Sequence, residues 1–151
     1  MRVVLQIVKE SSVELEGKTI SSIGRGYNLL VGFCNTDTKE IAKKMAEKIA
    51  KLRIFPDENG KTNLSLSAVG GAILSVSQFT LYASAKDGNR PSFTNCMNAQ
   101  SAGDMYQYFL EELRFLVPNL ESNVFHTDCR VTIVNDGPFT LILDSKELFG
   151  L

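Results

Sequence analysis

The sequence predicts an α/β chain of mostly antiparallel strands with two main helices. Short apolar runs with strand-like alternation open and close it, and residues 37–53 and 101–117 carry apolar side chains at helical spacing. Polar segments containing Gly or Pro separate these stretches. At 151 residues, 44% hydrophobic and 22% charged, the chain is expected to form one domain over residues 1–151. A fold of this length buries roughly 70% of its unfolded surface, enough for a core without disulfide or metal staples.

The opening strand is predicted from Val4, Gln6 and Val8 alternating with Val3, Leu5 and Ile7, all but one apolar, which suits burial on both faces. Val13 and Leu15 alternate with polar neighbours before a turn at Glu16-Gly17-Lys18, and Tyr27 to Phe33 is a further apolar run. These strands are expected to form an antiparallel meander. A helix follows, with Asp37 as its cap, Glu40 as capping-box partner, and Ile41, Met45, Ile49 and Leu52 on one face. Its other face carries Lys39, Lys43, Lys44, Lys48 and Lys51, with Arg53 just beyond, a local excess of four positive charges over 39–53. That face reads as a solvated helix surface or as a surface for phosphate.

Asp57 to Gly60 reads as a turn, and Ile73 to Tyr82 as a strand. Ala85 to Phe93 is too polar for a core element and reads as a loop. Ser101 to Val117 is predicted as the second helix, with Ala102, Met105, Phe109, Leu113 and Leu116 on one stripe and Pro118 ending it. Two last strands, Val131 to Val134 and Thr140 to Leu143, are expected to flank a turn at Asn135-Asp136-Gly137-Pro138.

Composition excludes several function classes. A net charge of −1 argues against bulk binding of polyanions, though residues 1–100 hold 13 basic and 9 acidic residues and the remainder 3 and 8. No apolar run approaches the ~20 residues of a membrane span, and the start has no signal-peptide pattern, so a cytoplasmic location is expected. Cys34, Cys96 and Cys129 contain no CxxC pair, which suggests a reducing compartment. His126 is the single histidine. No His, Cys or acidic cluster has metal-ligand spacing, and no GxSxG elbow supports a triad, so neither metal nor cofactor is expected.

Two segments interrupt apolar strands with chemistry. Ser77-Gln78-Phe79-Thr80 places three hydrogen-bonding side chains within four residues of a core-like strand, and these need partners or a ligand. Period two puts Ser77 and Phe79 on one face and Gln78 and Thr80 on the other, unless a strand end or bulge intervenes; an edge strand with one wet face is the plainer reading. Asn135 to Thr140 centres on Gly137-Pro138, which is either a turn or, with a cis bond and exposed carbonyls, a site for an ammonium group. His126 beside Phe125 reads as structural or surface, Cys34 as a small core residue, and Lys86 and Arg90 as phosphate contacts or plain loop charges.

Taken together, SQFTL at 77–81, AKDGNRPSF at 85–93, NDGPFT at 135–140 and RIFPDENGKTNLSL at 53–66 resemble the D-aminoacyl-tRNA deacylase family over nearly the whole chain. Both signature motifs in this order and separation make the resemblance specific. It implies a layered β/β/α domain with barrel-like sheets, forming a homodimer, that hydrolyses the ester joining a D-amino acid or glycine to the tRNA 3′ end. It also implies that Gly137 and Pro138 enter the other subunit's site, hold the α-ammonium through their carbonyls and collide with an L side chain. On the same resemblance the backbone N–H groups of Phe79 and Thr80 are expected to be oxyanion donors, each worth ~3–4 kcal/mol in other hydrolases. Thr80 reads as a nucleophile only if a base stands beside it, so the tRNA's own ribose 2′-OH is expected to position or activate water.

The chain departs from the family pattern at Ile7, where the family has an arginine assigned to bracing the Gly-Pro segment. It departs again over Asn123 to Cys129, where Phe125 fits an aromatic position but His126 replaces a small residue. Two rival readings follow: a nucleic-acid-binding module without activity on the same scaffold, and a deacylase of relaxed chirality.

Overall fold

A long antiparallel hairpin opens the chain. In the computed structural model, which describes residues 1–151, β1 (Arg2–Leu15) turns at Glu16-Gly17 and returns as β2 (Lys18–Ile23) and β3 (Gly26–Gly32). Register runs on without a break from Ser11 opposite Ile23 to Val8 opposite Gly26. The expected meander is therefore one hairpin with a kinked return arm, because Gly24-Arg25 is too short to reverse the chain and only bends it. On β1, Val3, Leu5 and Ile7 are buried while Val4 and Gln6 are half-buried. Burial on both faces, expected of β1, belongs to β3, which lies between β1 and a parallel neighbour.

That neighbour is β6 (Ala72–Ser77), which in turn pairs in parallel with β7 (Leu120–Ser122), giving the order β2-β1-β3-β6-β7. β4 (Arg53–Pro56) and β5 (Thr62–Ser65) form a separate hairpin. Its turn is held by the Asp57 carboxylate, which accepts from the Asn59 and Lys61 N–H groups at 2.9 and 3.0 Å.

The other edge of β1 carries β8 (Arg130–Asp144), antiparallel along its whole length and nearly closing the sheet. The two short strands expected here are thus one strand, and the expected turn at Asn135–Pro138 is a bulge within it. Gln6 faces Thr140 and Val8 faces Asn135, so residues 136–139 stand opposite Ile7 alone. The surplus is pushed out of the ladder, which is how a strand absorbs extra residues without losing pairing on either side. Within it the Gly137-Pro138 peptide is cis and Gly137 has φ +130°. Ile7 lies buried in the core below.

Helices α1 (Lys39–Lys51) and α2 (Ala99–Leu116) pack together over the sheet, and α3 (Ser145–Phe149) follows β8. The stripe on α1 is as expected, with Ile41, Met45 and Ile49 buried. Its cap is Thr38, not Asp37: the Thr38 side chain accepts from the Ile41 N–H. Asp37 is drawn away by stronger donors. Its carboxylate is buried against the Met1 amino group and accepts from the Cys34 N–H at 2.8 Å. On α2, Ala102, Phe109 and Leu113 are buried as expected, whereas Leu116 is exposed at the helix end. No helix is long and apolar enough to cross a membrane.

The basic face of α1 is partly committed to local partners. Lys44 pairs with Glu40 at 2.8 Å, Lys43 with Glu112 at 3.8 Å, and Lys39 lies over the Tyr108 ring. Its spare positive charge is therefore smaller than the sequence count suggests.

The close approach of β6 to β3 allows no side chain at Gly26, where a Cβ would stand 1.8 Å from the Ala72 carbonyl oxygen. Gly26→Ala is expected to destabilise the protein by about 3 kcal/mol in urea denaturation. Gly24→Ala, whose Cβ would meet nothing within 4 Å, is expected to stay within about 1 kcal/mol of the parent.

Candidate active site

β6 is buried from Ala72 to Val76 and surfaces at Ser77, where the strand ends. The strand expected to run to Tyr82 stops there. The Gln78 N–H makes a last rung to the Val31 carbonyl at 2.7 Å, and the chain then tightens into a 3-10 turn over Phe79–Tyr82. Period-two alternation of Ser77, Gln78, Phe79 and Thr80 is lost, because a 3-10 turn distributes side chains every third residue.

The turn fits because Gly32 lies beneath it. A Cβ there would stand 2.8 Å from the Gln78 carbonyl oxygen and 2.9 Å from the Leu81 Cβ. The first bond that closes the turn runs from the Leu81 N–H to the Gln78 carbonyl at 3.3 Å. The N–H groups of Phe79 and Thr80 precede it and are not consumed by the turn. The Phe79 carbonyl is fixed by the Cys96 thiol, which donates to it at 3.4 Å. Burial pushes that thiol's pKa up, keeping the proton on sulfur for this bond.

Ser77, Gln78 and Phe79 form one wall of a cleft of about 630 Å³. Phe93, tilted against Phe79 with ring centroids 5.6 Å apart, and Cys96 come from the segment before α2. Asn98, Ala99 and Ala102 bring the start of α2, which is capped by the Asn98 side chain accepting from the Ser101 N–H at 3.0 Å. The opposite wall is residues 123 and 125–129 with Val131. Phe125 seats on Gly103, where a Cβ would be 3.2 Å from its ring, and tilts toward Tyr106 at 5.9 Å.

Beneath this wall Asn123, buried, bonds Ser77 twice. Its Oδ1 accepts from the Ser77 N–H at 3.1 Å, and its Nδ2 donates to the Ser77 Oγ at 3.2 Å and to the Val124 carbonyl at 3.3 Å. The Tyr106 hydroxyl lies 3.2 Å from that Oδ1 and 3.0 Å from the Ser75 Oγ. Burial raises the Tyr106 pKa, so the phenol keeps its proton.

Of the residues singled out from the sequence, the fold brings Ser77, Gln78, Phe79 and Phe125 to the cleft, and His126 with them. Thr80 lies on the exposed side of the turn, its hydroxyl 2.6 Å from the Gln78 Nε2. An amide nitrogen donates and takes no proton, so nothing at that distance activates Thr80 as a nucleophile. Asn135, Gly137 and Pro138 are exposed on the β8 bulge and do not line this cleft. Lys86 and Arg90 are exposed on a loop closed by the Ser84–Ser92 bridge and also lie outside the lining. Sequence reasoning missed Asn123, Asn98 and Cys96, which lie far from the motif along the chain. An available signal for Asn123 was an amide directly before the apolar pair Val124-Phe125.

The model of the family described as D-Tyr-tRNA(Tyr) deacylase matches residues 4–144. The chain is 51% identical over 144 residues to a D-aminoacyl-tRNA deacylase of Lactobacillus acidophilus, covering 95% of this chain and 99% of that one. It is 48% identical over 149 residues to one of Clostridium botulinum, covering 99% and 100%. Among solved structures it is similar to a c-Myc DNA unwinding element binding protein, with TM-score 0.90 and 39% identity over 95% of this chain and 98% of that one.

The dependence of the turn on Gly32 is open to test. Gly32→Ala is expected to lengthen the bond from Gln78 to Val31 and speed amide hydrogen exchange at Gln78 and Leu81 at least tenfold. Exchange at Leu29 is expected to stay at the parent rate.

Proposed function

The chain belongs to the D-Tyr-tRNA(Tyr) deacylase family, and on that premise we propose that it hydrolyses the ester joining a D-amino acid, or glycine, to the 3′ end of tRNA. The observation that carries the reading is the end of β6. There the matched SQFT motif, whose Phe79 and Thr80 N–H groups are uncommitted, reaches a cleft lined by Ser77, Gln78 and Phe79 and flanked by two exposed aromatic rings, Phe79 and Phe93. Such donors suit an oxyanion that develops as water attacks an acyl ester. Phe79, 51% exposed and paired with Phe93, suits stacking on the terminal adenine.

The reaction is chemically easy for this set of groups. An aminoacyl ester has a good leaving group and carries a neighbouring ribose hydroxyl. In our reading that 2′-OH positions or activates the water, and the protein supplies orientation and oxyanion stabilisation. Chirality comes from backbone. Gly137 and Pro138 of a second copy enter the cleft, accept the α-ammonium at their carbonyls and leave no room for an L side chain. Two features support this cross-subunit arrangement: the Gly137-Pro138 bulge is exposed and lies outside the lining of its own cleft, and Ile142 and Val134 are exposed on the same strand. Asn135 shapes the bulge, Phe125 lines the pocket, and Lys86 and Arg90 meet the phosphates of the acceptor end. We read residues 1–151 as one deacylase domain working in the cytoplasm on charged tRNA.

The rival without catalysis has one point in its favour, the nucleic-acid-binding name of the similar solved chain. The local pairing of Lys39, Lys43 and Lys44 weakens the surface it needs.

Incubation with D-Tyr-tRNA and L-Tyr-tRNA decides among these readings. Hydrolysis of the D form at least a hundredfold faster is expected; equal rates support relaxed chirality, and binding with no hydrolysis of either supports the rival. Comparing D-Ala-, Gly- and L-Ala-tRNA then places the steric boundary, with glycine expected to be cleaved and L-alanine spared. Thr80→Ala is expected to keep activity within about tenfold of the parent, whereas complete loss with binding intact restores Thr80 as nucleophile. Sedimentation is expected to give a species of twice 16.7 kDa.

A further inference from the structure

We propose that Asn123, held by Tyr106, is a positioning residue that turns the Ser77 hydroxyl into a hydrogen-bond donor aimed into the cleft. The inference rests on the deacylase reading above and adds a residue that the SQFT motif does not contain. It follows from donor and acceptor bookkeeping. The Ser77 backbone N–H can only donate, so the Asn123 atom facing it at 3.1 Å is the carbonyl oxygen. That fixes the amide's orientation and places its NH₂ against the Ser77 Oγ at 3.2 Å and the Val124 carbonyl at 3.3 Å. Reversing the amide would set donors against the Ser77 N–H.

The Tyr106 hydroxyl has one proton for two neighbours. Oδ1 of Asn123 only accepts, so the tyrosine proton goes there, and the fully buried Ser75 hydroxyl gives its own proton to the Tyr106 oxygen. The direction of every bond is then set: Ser75 to Tyr106, Tyr106 to Asn123, Asn123 to Ser77. Ser77, the last member, receives a proton on its lone pair and meets no acceptor within the protein, so its own proton points into the cleft it lines. A donor there meets the carbonyl or ribose oxygens of a bound ester.

Asn123→Asp tests this. The carboxylate still accepts from the Ser77 N–H and Tyr106, but its second oxygen faces the Ser77 Oγ and draws that proton inward. Deacylation of D-Tyr-tRNA is expected to fall roughly tenfold, the loss of one hydrogen bond. The ratio of variant to parent rate is expected to recover as pH falls and the buried carboxyl regains a proton. Asp128, His126, Cys96 and Cys129 line the same cleft in both proteins, so their contributions divide out of that ratio. In a Ser77→Ala background, Asn123→Asp is expected to cost less than twofold, the non-additivity of coupled neighbours. Should Asn123→Asp not fold, as judged by thermal melting, Tyr106→Phe takes its place in the same cycle, with a smaller loss that also vanishes in Ser77→Ala. A full tenfold loss in that background, a pH-independent ratio, or parental activity in the folded variant overturns the inference. Parent protein inactive on D-Tyr-tRNA overturns the deacylase reading instead.

Discussion

The parallel pairing of β6 on β3 is the constraint from which the cleft hangs. β3 is buried on both faces and its ends are glycines, so β6 closes onto Gly26 and the 3-10 turn settles on Gly32 without a side chain in between. Backbone hydrogen bonds from Gly26 to Val31 then set the height at which Ser77 leaves the sheet. Because packing at such contacts is as dense as in a crystal, a shift of one methyl group is felt along the strand. The turn's uncommitted N–H groups, the aromatic pair and the Cys96 anchor all take their positions from that one pairing.

The second wall is built differently. Residues 123–129 follow β7 as a loop, and beyond one backbone rung, from the Asn123 N–H to the Ser75 carbonyl at 3.1 Å, they are fixed by side chains. Asn123 ties the loop to β6, Phe125 seats on Gly103 of α2, and the Thr127 hydroxyl donates to the Val124 carbonyl at 2.6 Å. His126 stands on the cleft wall and Asn123 beneath it. Ile7 sits under the Gly137-Pro138 bulge, where a buried aliphatic side chain offers packing and no hydrogen bonds.

Much of this was legible in the residues. The stripes on α1 and α2 follow from apolar spacing, because a helix can bury only the face it turns inward. The motifs SQFT and NDGPFT stood out because polar side chains and a Gly-Pro pair interrupt apolar strands. Where expectation and structure part, the cause is a partner distant in sequence. Thr38 caps α1 because Asp37 is taken by the Met1 amino group and Cys34. The segment 131–143 reads as two strands and a turn, yet β1 supplies one continuous edge that pairs both halves and expels the four residues between.

The sequence by itself determined the α/β class, the helical faces, the absence of metal-ligand spacing and the two motifs that interrupt apolar strands. All of these are local patterns, set by side-chain type and period. Only the tertiary structure decided that β6 lies parallel to β3, that Ser77 ends a strand while Phe79 and Thr80 begin a turn, and that Asn123, Cys96 and Asn98 join them. Tertiary structure also decided that the exposed Gly137-Pro138 bulge lies outside the lining of its own cleft. Those outcomes depend on which strand edge meets which, and edge pairing is chosen by packing over the whole chain, which no short run of residues encodes.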